Sequence, residues 1–516
     1  MKKRIITMLL LVAMLVTTIA MSSCADNTTP GGTETDPPAG ADTSSPSQGG
    51  ENTSQGGDAT QGGDAATEAP ADVSDPYKSD LPDDVTFEGK TATILAWETS
   101  DNEFFSETDT GETISSAIYW RNLDASERLK IDLQFNIIDG DSSATDSYTK
   151  VLEAACFSGD ASYDLMAAYG RTTASCATAG LLQDLSALDY VDLDKLYYLQ
   201  PSVDMGTIGD KTYFLTGDMS FSFLSRQSVI IFNNDLIQRY NLEDPYDLVL
   251  ADKWTLDKLG EMTAGVYEDI NANGGRDNED LYGIVGDQLQ IDCTYYSGGF
   301  RWVEKDADNL PVISQDVYSE EASKLVDKWI SVFQNGGFVI KNDSVKEFES
   351  GNAIFWLYPV VGVTRGVLKE SADFTFGIVP QPKRDASQEQ YIGSTTNYYT
   401  LWGCPIAVQD EELSGALLEV LAEEGNKTII PAVFEQAYKL KYNSDESGRQ
   451  SQIFDILKTN VICDMGKAFT AQLANIPTSA YAAAVGNLYN NYLTVVKGSQ
   501  RQVDRNFKKI VDAFAD

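Results

Sequence analysis

The sequence predicts an α/β protein whose body forms two lobes and ends in a helical C-terminal third. Predicted strands and helices alternate between Thr91 and Ala168, an order typical of a parallel sheet covered by helices. Once an N-terminal signal and a polar tract are set aside, about 430 residues remain, which is enough for two lobes of ordinary domain size. From Glu411 onward the spacing of the apolar residues is mostly helical.

The first 24 residues predict export and lipid attachment. Basic residues 2–4, an apolar stretch over residues 5–21 and two serines precede Cys24, as in a secretory signal peptide over residues 1–23. The apolar stretch is shorter than the roughly 20 residues that a membrane-spanning helix requires. Residues 20–24 resemble a bacterial lipobox, with Met21 in place of the usual Leu. This resemblance implies a palmitate-bearing Cys24, anchored at the extracellular face of the cell membrane; the alternative is an ordinary signal in which Cys24 is incidental.

A polar tract follows the signal. Residues 25–72 contain no Leu, Ile, Val, Met or aromatic side chain, and such a segment cannot offset the entropy that ordering costs. We therefore expect residues 24–83 to be a lipidated cysteine with a disordered linker, and residues 84–516 to be the body. At about 5–6 Å × √n, the linker has a mean reach of roughly 40 Å.

Charge and the absence of histidine narrow the function. Lys plus Arg number 38 and Asp plus Glu number 78, so the net charge of −40 argues against nucleic acid as a partner. The chain has no histidine, which removes Ser-His-Asp and Cys-His catalysis and histidine-based zinc sites. Hydrolysis of glycosides by paired carboxylates stays open.

The cysteines besides Cys24 are odd in number, and an odd set does not make a complete disulfide framework. Each lies among apolar or small residues, so we expect free buried thiols at Cys156, Cys176, Cys293, Cys404 and Cys463. A disulfide between Cys156 and Cys176 is the alternative. The sequence has no CxxC pair, which argues against a thiolate metal site.

Local patterns predict the elements in order. Residues 91–97 are mostly apolar, which predicts a buried strand, whereas residues 131–135 alternate as in a strand. Residues 114–129 carry apolar side chains at helical spacing. By the same criteria we expect strands over residues 163–168, 228–232 and 374–379, and helices over residues 147–157, 235–240, 255–267 and 319–335.

Several segments of the body resemble one protein family. They occupy residues 163–166, 180–185, 209–215, 229–236, 241–246, 253–259, 348–355 and 376–382. In sequence and order, for example Val-Ile-Ile-Phe-Asn-Asn-Asp-Leu at residues 229–236, they are similar to the family 1 extracellular solute-binding proteins, the sugar-type substrate-binding lipoproteins of ABC importers. The resemblance covers about residues 85–515.

The resemblance implies a periplasmic-binding-protein-like (type II) fold with a ligand cleft between the lobes. It implies a monomer without enzyme activity that captures a small solute and delivers it to the permease subunits of an ABC transporter. The family and the aromatic content favour a carbohydrate, either a mono- or an oligosaccharide. Two alternatives stay open: a tethered carbohydrate-active hydrolase, and a ligand-sensing surface lipoprotein without transport.

Aromatic and polar side chains near the carboxyl ends of strands are the candidates for the ligand site. Ligands of open α/β sheets bind at that edge, where sugar rings stack on Trp and Tyr and hydroxyls pair with polar groups. We expect the ligand to contact Trp97, Glu98, Tyr169, Arg171, Asp218, Trp302, Trp356, Tyr358, Tyr398 and Trp402. For each of these, packing in the core is the alternative.

One loop has the spacing of an EF-hand. Oxygen-bearing groups occupy loop positions 1, 3, 5, 7, 9 and 12, namely Asp269, Asn271, Asn273, Gly275, Asp277 and Asp280. Asp stands at position 12 in place of Glu, and Arg276 at position 8 in place of an apolar residue. We expect a structural Ca²⁺ here and no organic cofactor; an Asn- and Gly-rich turn that needs no metal is the alternative.

Overall fold

Parallel strands with helices between them form two sheets, one in each lobe. The computed structural model describes residues 75–99, 102–340, 344–364, 368, 372–439 and 448–514. The described residues belong to one unit, Asp72–Asp516. The predicted signal peptide, Cys24 and the linker up to residue 74 lie outside the described residues. Strands and helices are numbered here in chain order.

The first lobe is built on a four-stranded sheet. Its strands are β1 (Thr91–Trp97), β2 (Asp132–Ile138), β3 (Leu165–Tyr169) and β14 (Thr400–Gly403). They lie in the order β2-β1-β3-β14, with the first three parallel and β14 antiparallel to β3. The accompanying helices are α1 (Thr113–Leu129), α2 (Thr145–Ser158) and α3 (Gly170–Thr178). β3 is buried throughout and β2 is partly exposed, in agreement with the alternation of β2 in sequence.

The second lobe is built on a six-stranded sheet. Its strands are β6 (Ser228–Asn233), β7 (Tyr267–Glu268), β8 (Leu281–Asp287), β11 (Gly337–Ile340), β12 (Ala353–Pro359) and β13 (Phe376–Pro380). The order is β11-β8-β12-β6-β13, with β7 also paired to β8. β11, β8 and β12 are parallel, whereas β6 is antiparallel to β12 and β13. The helices of this lobe are α6 (Asn234–Arg239), α7 (Pro245–Leu250), α8 (Leu256–Thr263), α9 (Gln288–Ser297), α10 (Glu320–Gly336), α11 (Val345–Glu349) and α12 (Val361–Thr364).

Short elements join these parts. They are α4 (Gln200–Gly206), α5 (Ser222–Ser225), the hairpin of β4 (Thr207–Ile208) with β5 (Lys211–Thr212), and the hairpin of β9 (Val303–Lys305) with β10 (Pro311–Ile313). Single 3-10 turns occur at Leu185–Ala187 and Gln315–Tyr318.

The C-terminal third is helical, as predicted. Its helices are α13 (Glu411–Lys439), α14 (Arg449–Thr459), α15 (Met465–Ala468), α16 (Ile476–Gly486) and α17 (Tyr492–Ala513). α13 packs against α1 of the first lobe, whereas α14 packs against α7 and β13, and α16 against α9 and α10, of the second lobe. The C-terminal helices therefore complete both lobes.

Two segments run between the lobes, residues 213–227 before β6, which include α5, and residues 381–399 before β14. They lie side by side, since Gln227 bridges to Thr395 and the amide of Ser228 donates to the carbonyl of Ser394 at 2.8 Å. We call residues 213–227 and 381–399 the crossing segments.

Most predicted elements are present within a few residues of their expected bounds. The helix predicted over residues 255–267 is the exception, because it ends at Thr263 and Tyr267 belongs to β7. The chain turns at Gly265, whose φ of +74° favours glycine.

Residues 75–83, assigned to the linker from their sequence, contact the body. Leu81 is buried in the main core, and Asp80 pairs with the buried Lys195 at 2.8 Å. The packed part of the chain therefore starts before Asp84.

The prediction of free, buried thiols is confirmed for the five cysteines of the body. Cys156 and Cys176 are thus not joined as a disulfide. Within the part of the chain that the structure describes, none of the helices has the length and apolar character needed to cross a membrane.

Candidate functional site

A cavity of about 630 Å³ lies between the two lobes. The first lobe lines it with residues at or after the ends of β2 and β3, and the second lobe with residues at the ends of β8 and β12. The crossing segments and α16 supply the remaining wall. Both sheets thus turn the carboxyl ends of parallel strands toward one space, the usual place for a ligand in open α/β sheets. Its volume is within the range of small-molecule sites.

Three tyrosines, one from each part of the wall, face this cavity. Tyr169 ends β3, Tyr358 lies near the end of β12 and Tyr398 lies in the second crossing segment. The ring centres of Tyr169 and Tyr398 are 6.2 Å apart, in an edge-to-face arrangement. Burial raises the pKa of Tyr169, so its hydroxyl keeps its proton at neutral pH. The tyrosines offer the apolar faces and hydroxyls that a sugar ring needs.

Two buried tryptophans contact all three of these tyrosines. The ring of Trp97 lies 5.0 Å from Tyr398 and 5.5 Å from Tyr169. Trp356 stacks on Tyr358 at 3.9 Å with an interplanar angle of 13°, because residues two apart on a strand share a face. The indole nitrogens of Trp97 and Trp356 donate to Thr400 and Ser344, each at 2.8 Å. Both tryptophans therefore position the tyrosines from behind.

The charged groups of the wall balance each other. Two guanidinium groups, Arg171 and Arg226, face two carboxylates, Asp287 and Asp292. Arg226 lies 4.4 Å from the ring centre of Tyr398, and Arg171 donates to Asn475 at 2.9 Å. The wall is therefore neutral in sum although the whole chain carries a charge of −40.

Asp292 is tied to a buried lysine. Its carboxylate pairs with the ammonium of Lys467 at 3.0 Å, and that ammonium also lies 3.4 Å from the sulfur of Cys293. Burial acts to lower the pKa of Lys467, but the attraction of Asp292 and contact with Cys293 outweigh it and raise the pKa. Lys467 therefore stays charged and holds the carboxylate of Asp292 in position from behind the wall.

Two amide oxygens of the wall have no hydrogen-bond partner within the described part of the chain. They are Oε1 of Gln290, in α9, and Oδ1 of Asn397, in the second crossing segment. Their residues are only 6% and 7% exposed. The other end of Asn397 is fixed, because its Nδ2 donates to the carbonyl of Lys467 at 2.9 Å. A buried acceptor without a donor costs about 1–3 kcal/mol, and both of these oxygens belong to residues of the cavity wall.

Of the ten residues expected to contact ligand, the structure brings four together on the cavity wall: Tyr169, Arg171, Tyr358 and Tyr398. Trp97 and Trp356 lie behind it, and Glu98 is exposed after β1. Trp302 and Trp402 are buried in the core, where Trp402 donates to Ser220 at 2.8 Å. Because these four indole rings are fully buried, they have no free face to offer a ligand in this conformation.

Asp218 lies on a different cavity, of about 530 Å³, whose wall also includes Tyr198 and Lys458. Its carboxylate accepts from Asn426 at 2.6 Å. Burial raises the pKa of Asp218 to about 6, and the Asn426 hydrogen bond opposes that shift. Asp218 is therefore separate from the tyrosine-lined wall.

Sequence reasoning missed Arg226, Gln290, Asp292 and Asn397. Gln290 and Asp292 follow β8, and predicting that strand would have drawn attention to the start of α9. Asn397 and Tyr398 are adjacent in sequence, but only the aromatic residue was expected to contact ligand.

The loop at residues 269–280 lies at the other end of β8 from the cavity. Among the described residues, no three or more acidic, thiol or imidazole side chains gather around one metal position. A cation in this loop would therefore also need amide and backbone oxygens.

Comparison with known proteins finds similar folds among solved structures. No family model and no curated protein matches the chain. Among solved structures it is similar to the ABC substrate-binding protein Lmo0181 from Listeria monocytogenes in complex with cycloalternan, with 14% identity, a TM-score of 0.51, and 81% of this chain and 99% of that one covered. A cyclo/maltodextrin-binding protein complexed with maltotetraose gives 14% identity, a TM-score of 0.52 and coverage of 83% and 98%. UgpB from Mycobacterium tuberculosis in complex with glycerophosphocholine gives 14%, 0.50, and 81% and 99%. The two-lobed binding-protein fold predicted from the sequence is thereby confirmed.

Proposed function

We propose that this chain is the solute-binding component of an ABC importer, and that its solute is a neutral carbohydrate or polyol held between the lobes. The observation that carries the proposal is the cavity wall, which combines three tyrosines with two unpartnered amide oxygens. The hydroxyls of a polyol donate to such oxygens, and its C–H faces pack on tyrosine rings. A neutral wall favours a ligand without net charge.

The arrangement of the wall suits capture by closure. Tyr169 comes from the first lobe, Tyr358 from the second and Tyr398 from a crossing segment. A ligand that contacts all three bridges the lobes and therefore favours the closed form. The closed form then docks on the permease and releases the solute. Proteins of similar fold in complex with cycloalternan and maltotetraose support an oligosaccharide.

Binding without catalysis is favoured over glycoside hydrolysis. A glycosidase needs two carboxyl groups about 5–10 Å apart that flank the scissile bond. The two carboxylates among the described lining residues, Asp287 and Asp292, both come from the second lobe. Asp287 caps α9 by accepting from the amide of Leu289 at 2.8 Å, and Asp292 pairs with Lys467. We therefore expect no product from an oligosaccharide that binds.

A lipid on Cys24 would keep the body close to its permease at the extracellular face of the membrane. The lipobox-like run supports this attachment. Cells expressing the parent chain and Cys24→Ser are labelled with a palmitate analogue and fractionated. Label and membrane recovery in the parent alone support the anchor; equal recovery of both chains would exclude it.

The test of function is a thermal-shift and calorimetric screen of the purified protein. The panel contains neutral mono- and oligosaccharides, polyols, amino acids, peptides and glycerophosphocholine. A ligand of the folded state raises the Tm, and we expect this from at least one neutral sugar or polyol. A clear response to peptides or glycerophosphocholine with none to any sugar or polyol would overturn the carbohydrate assignment.

A further inference from the structure

The loop between β7 and β8, residues 269–280, turns its oxygen atoms inward. The carboxylate of Asp269 accepts from the backbone amides of Asn273 and Gly274 at 3.2 and 2.9 Å. The side-chain amides of Asn271 and Asn273 both point at the carboxylate of Asp277. Rotation of each amide by 180° exchanges its nitrogen for its oxygen, so the same positions can present oxygens to a cation.

Gly274, at position 6 of the loop, has a φ of +77°. This is the sharp turn that the EF-hand spacing requires of its glycine. Arg276, at position 8, lies away from the interior: its guanidinium is 4.7 Å from the ring centre of Tyr267 and 5.3 Å from that of Tyr282. Arg276 therefore anchors the loop on two aromatic rings, the task of the usual apolar residue, without placing a positive charge among the oxygens.

Asp280, at position 12, carries the observation that points to a ligand. The residue is fully buried, and its Oδ1 has no hydrogen-bond partner in the described part of the chain. Its Oδ2 accepts from the backbone amide of Asp277 at 3.1 Å, so the carboxylate faces the interior of the loop. A buried carboxylate oxygen without a partner is costly unless a cation or donor reaches it.

The hydroxyl of Tyr267 also lies between two acceptor oxygens. Its hydroxyl lies 2.9 Å from the carbonyl oxygen of Gly275 and 3.0 Å from Oδ2 of Asp280. A tyrosine has one hydroxyl proton, so it can donate to only one of these two oxygens at a time. The oxygens at positions 7 and 12 therefore converge with fewer donors than acceptors.

We propose that residues 269–280 bind one Ca²⁺ ion through Asp269, Asn271, Asn273, the carbonyl of Gly275, Asp277 and Asp280. Carboxylate, amide and carbonyl oxygens on one flexible loop suit calcium, which accepts 6–8 oxygen ligands, better than magnesium, which demands an octahedron and keeps its waters. The set has no imidazole or thiolate, the ligands that zinc and copper prefer.

The ion has a structural role in the second lobe. Tyr282 in β8 donates to the carbonyl of Asp277 at 2.9 Å, and β7 pairs with β8. The loop thus fixes the start of a central strand whose last residue, Asp287, reaches the cavity. At about 3.3 Å per residue the strand separates the ion from the cavity by roughly 20 Å, so the ion is not a ligand of the solute.

The test measures the Tm of the purified chain after chelation and at rising CaCl₂, with MgCl₂ as the comparison. If the loop has the affinity typical of extracellular modules, about 10 mM Ca²⁺ should raise the Tm by about 3 °C or more. Terbium, a calcium analogue, should luminesce on excitation of Tyr267, and Ca²⁺ should quench that luminescence by competition.

Two loop variants and one matched control make the test specific. Asp280→Asn and Asn271→Ala should lose the calcium-dependent rise and the terbium luminescence; Asn271 is partly exposed, so its variant tests the site even if Asp280→Asn fails to fold. Asp306→Asn removes a comparable turn carboxylate, one that accepts from the amides of Asp308 and Leu310 at 3.0 and 2.9 Å. It should respond to calcium as the parent does. A parent without calcium response, or an Asn271→Ala variant that responds like the parent, would overturn the proposal.

Discussion

At the scale of residues, the two unpartnered amide oxygens of the cavity wall point more directly to a ligand contact than the number of aromatic residues does. Tyrosine pairs are common in protein cores, but buried acceptors without donors are rare. Oε1 of Gln290 and Oδ1 of Asn397 are two such acceptors, and both belong to residues that line the cavity.

Replacing Gln290 by leucine tests whether its side-chain oxygen contacts the ligand or stabilises the fold. Gln290→Leu removes an unpartnered acceptor and keeps a side chain of similar size, so we expect an unchanged or slightly higher Tm without ligand. Affinity for the solute found in the screen should fall about fivefold, as the loss of one hydrogen bond of about 1 kcal/mol predicts. Calorimetry and thermal unfolding measure the two quantities.

An exposed glutamine far from the cavity, Gln315, provides the control. Gln315→Leu should leave the affinity unchanged. A lower Tm for Gln290→Leu with full affinity would instead assign Gln290 to the core.

Part of the site was predictable residue by residue, and part was not. Tyr169 and Arg171 follow a strand that is obvious from its apolar run, so their place at the cleft could be predicted. Trp97 ends β1 at the same edge of the sheet. Its indole nevertheless turns into the core and donates to Thr400, a residue about 300 positions later. Sequence spacing does not fix which face of a strand end meets the cleft, because that depends on contacts distant in the chain.

At the scale of elements, α13 joins the first lobe to a crossing segment through one glycine. A Cβ at Gly425 would lie far inside van der Waals distance of the carbonyl oxygen of Asp218. The helix approaches the crossing segment this closely only because residue 425 has no side chain.

The pair Gly425→Ala and Gly498→Ala tests this contact. Both glycines lie inside long helices, α13 and α17, but a Cβ at Gly498 would meet no atom within 4 Å. Gly498→Ala should stabilise the protein by about 0.5–1 kcal/mol through helix propensity. Gly425→Ala should destabilise it by about 1–3 kcal/mol, because backbone has to move.

Chemical denaturation gives both values. Equal stabilisation by the two substitutions would show that α13 does not depend on the contact with Asp218.

The sequence predicted a strand or helix correctly where the pattern of apolar residues in that segment is uniform. β1 and β6 are mostly apolar and were predicted. β8 contains Gly283 and Gly286, whose places are set by neighbours: a Cβ at Gly286 would collide with the ring of Phe333 in α10. Whether such a segment forms a strand depends on tertiary packing, which the local sequence pattern does not show.

At the scale of the whole molecule, the cavity and the oxygen-rich loop lie at opposite ends of β8. The carboxyl ends of both sheets face one neutral cavity between the lobes, while the oxygen-rich loop lies at the opposite end of β8. Helices α13 and α14–α17 are divided between the lobes, so closure can move each lobe as a packed body.

The central claim is that a neutral polyhydroxy solute binds between the lobes against the tyrosine-lined wall. Its most direct test is a calorimetric titration of the solute into the parent, into Tyr398→Ala and into Tyr489→Ala, a control at a tyrosine that is 70% exposed. The parent and Tyr489→Ala should bind with equal affinity and one solute per chain. Tyr398→Ala should bind about 5- to 150-fold more weakly, since loss of ring contact costs about 1–3 kcal/mol. Parent-like affinity in Tyr398→Ala would contradict the account.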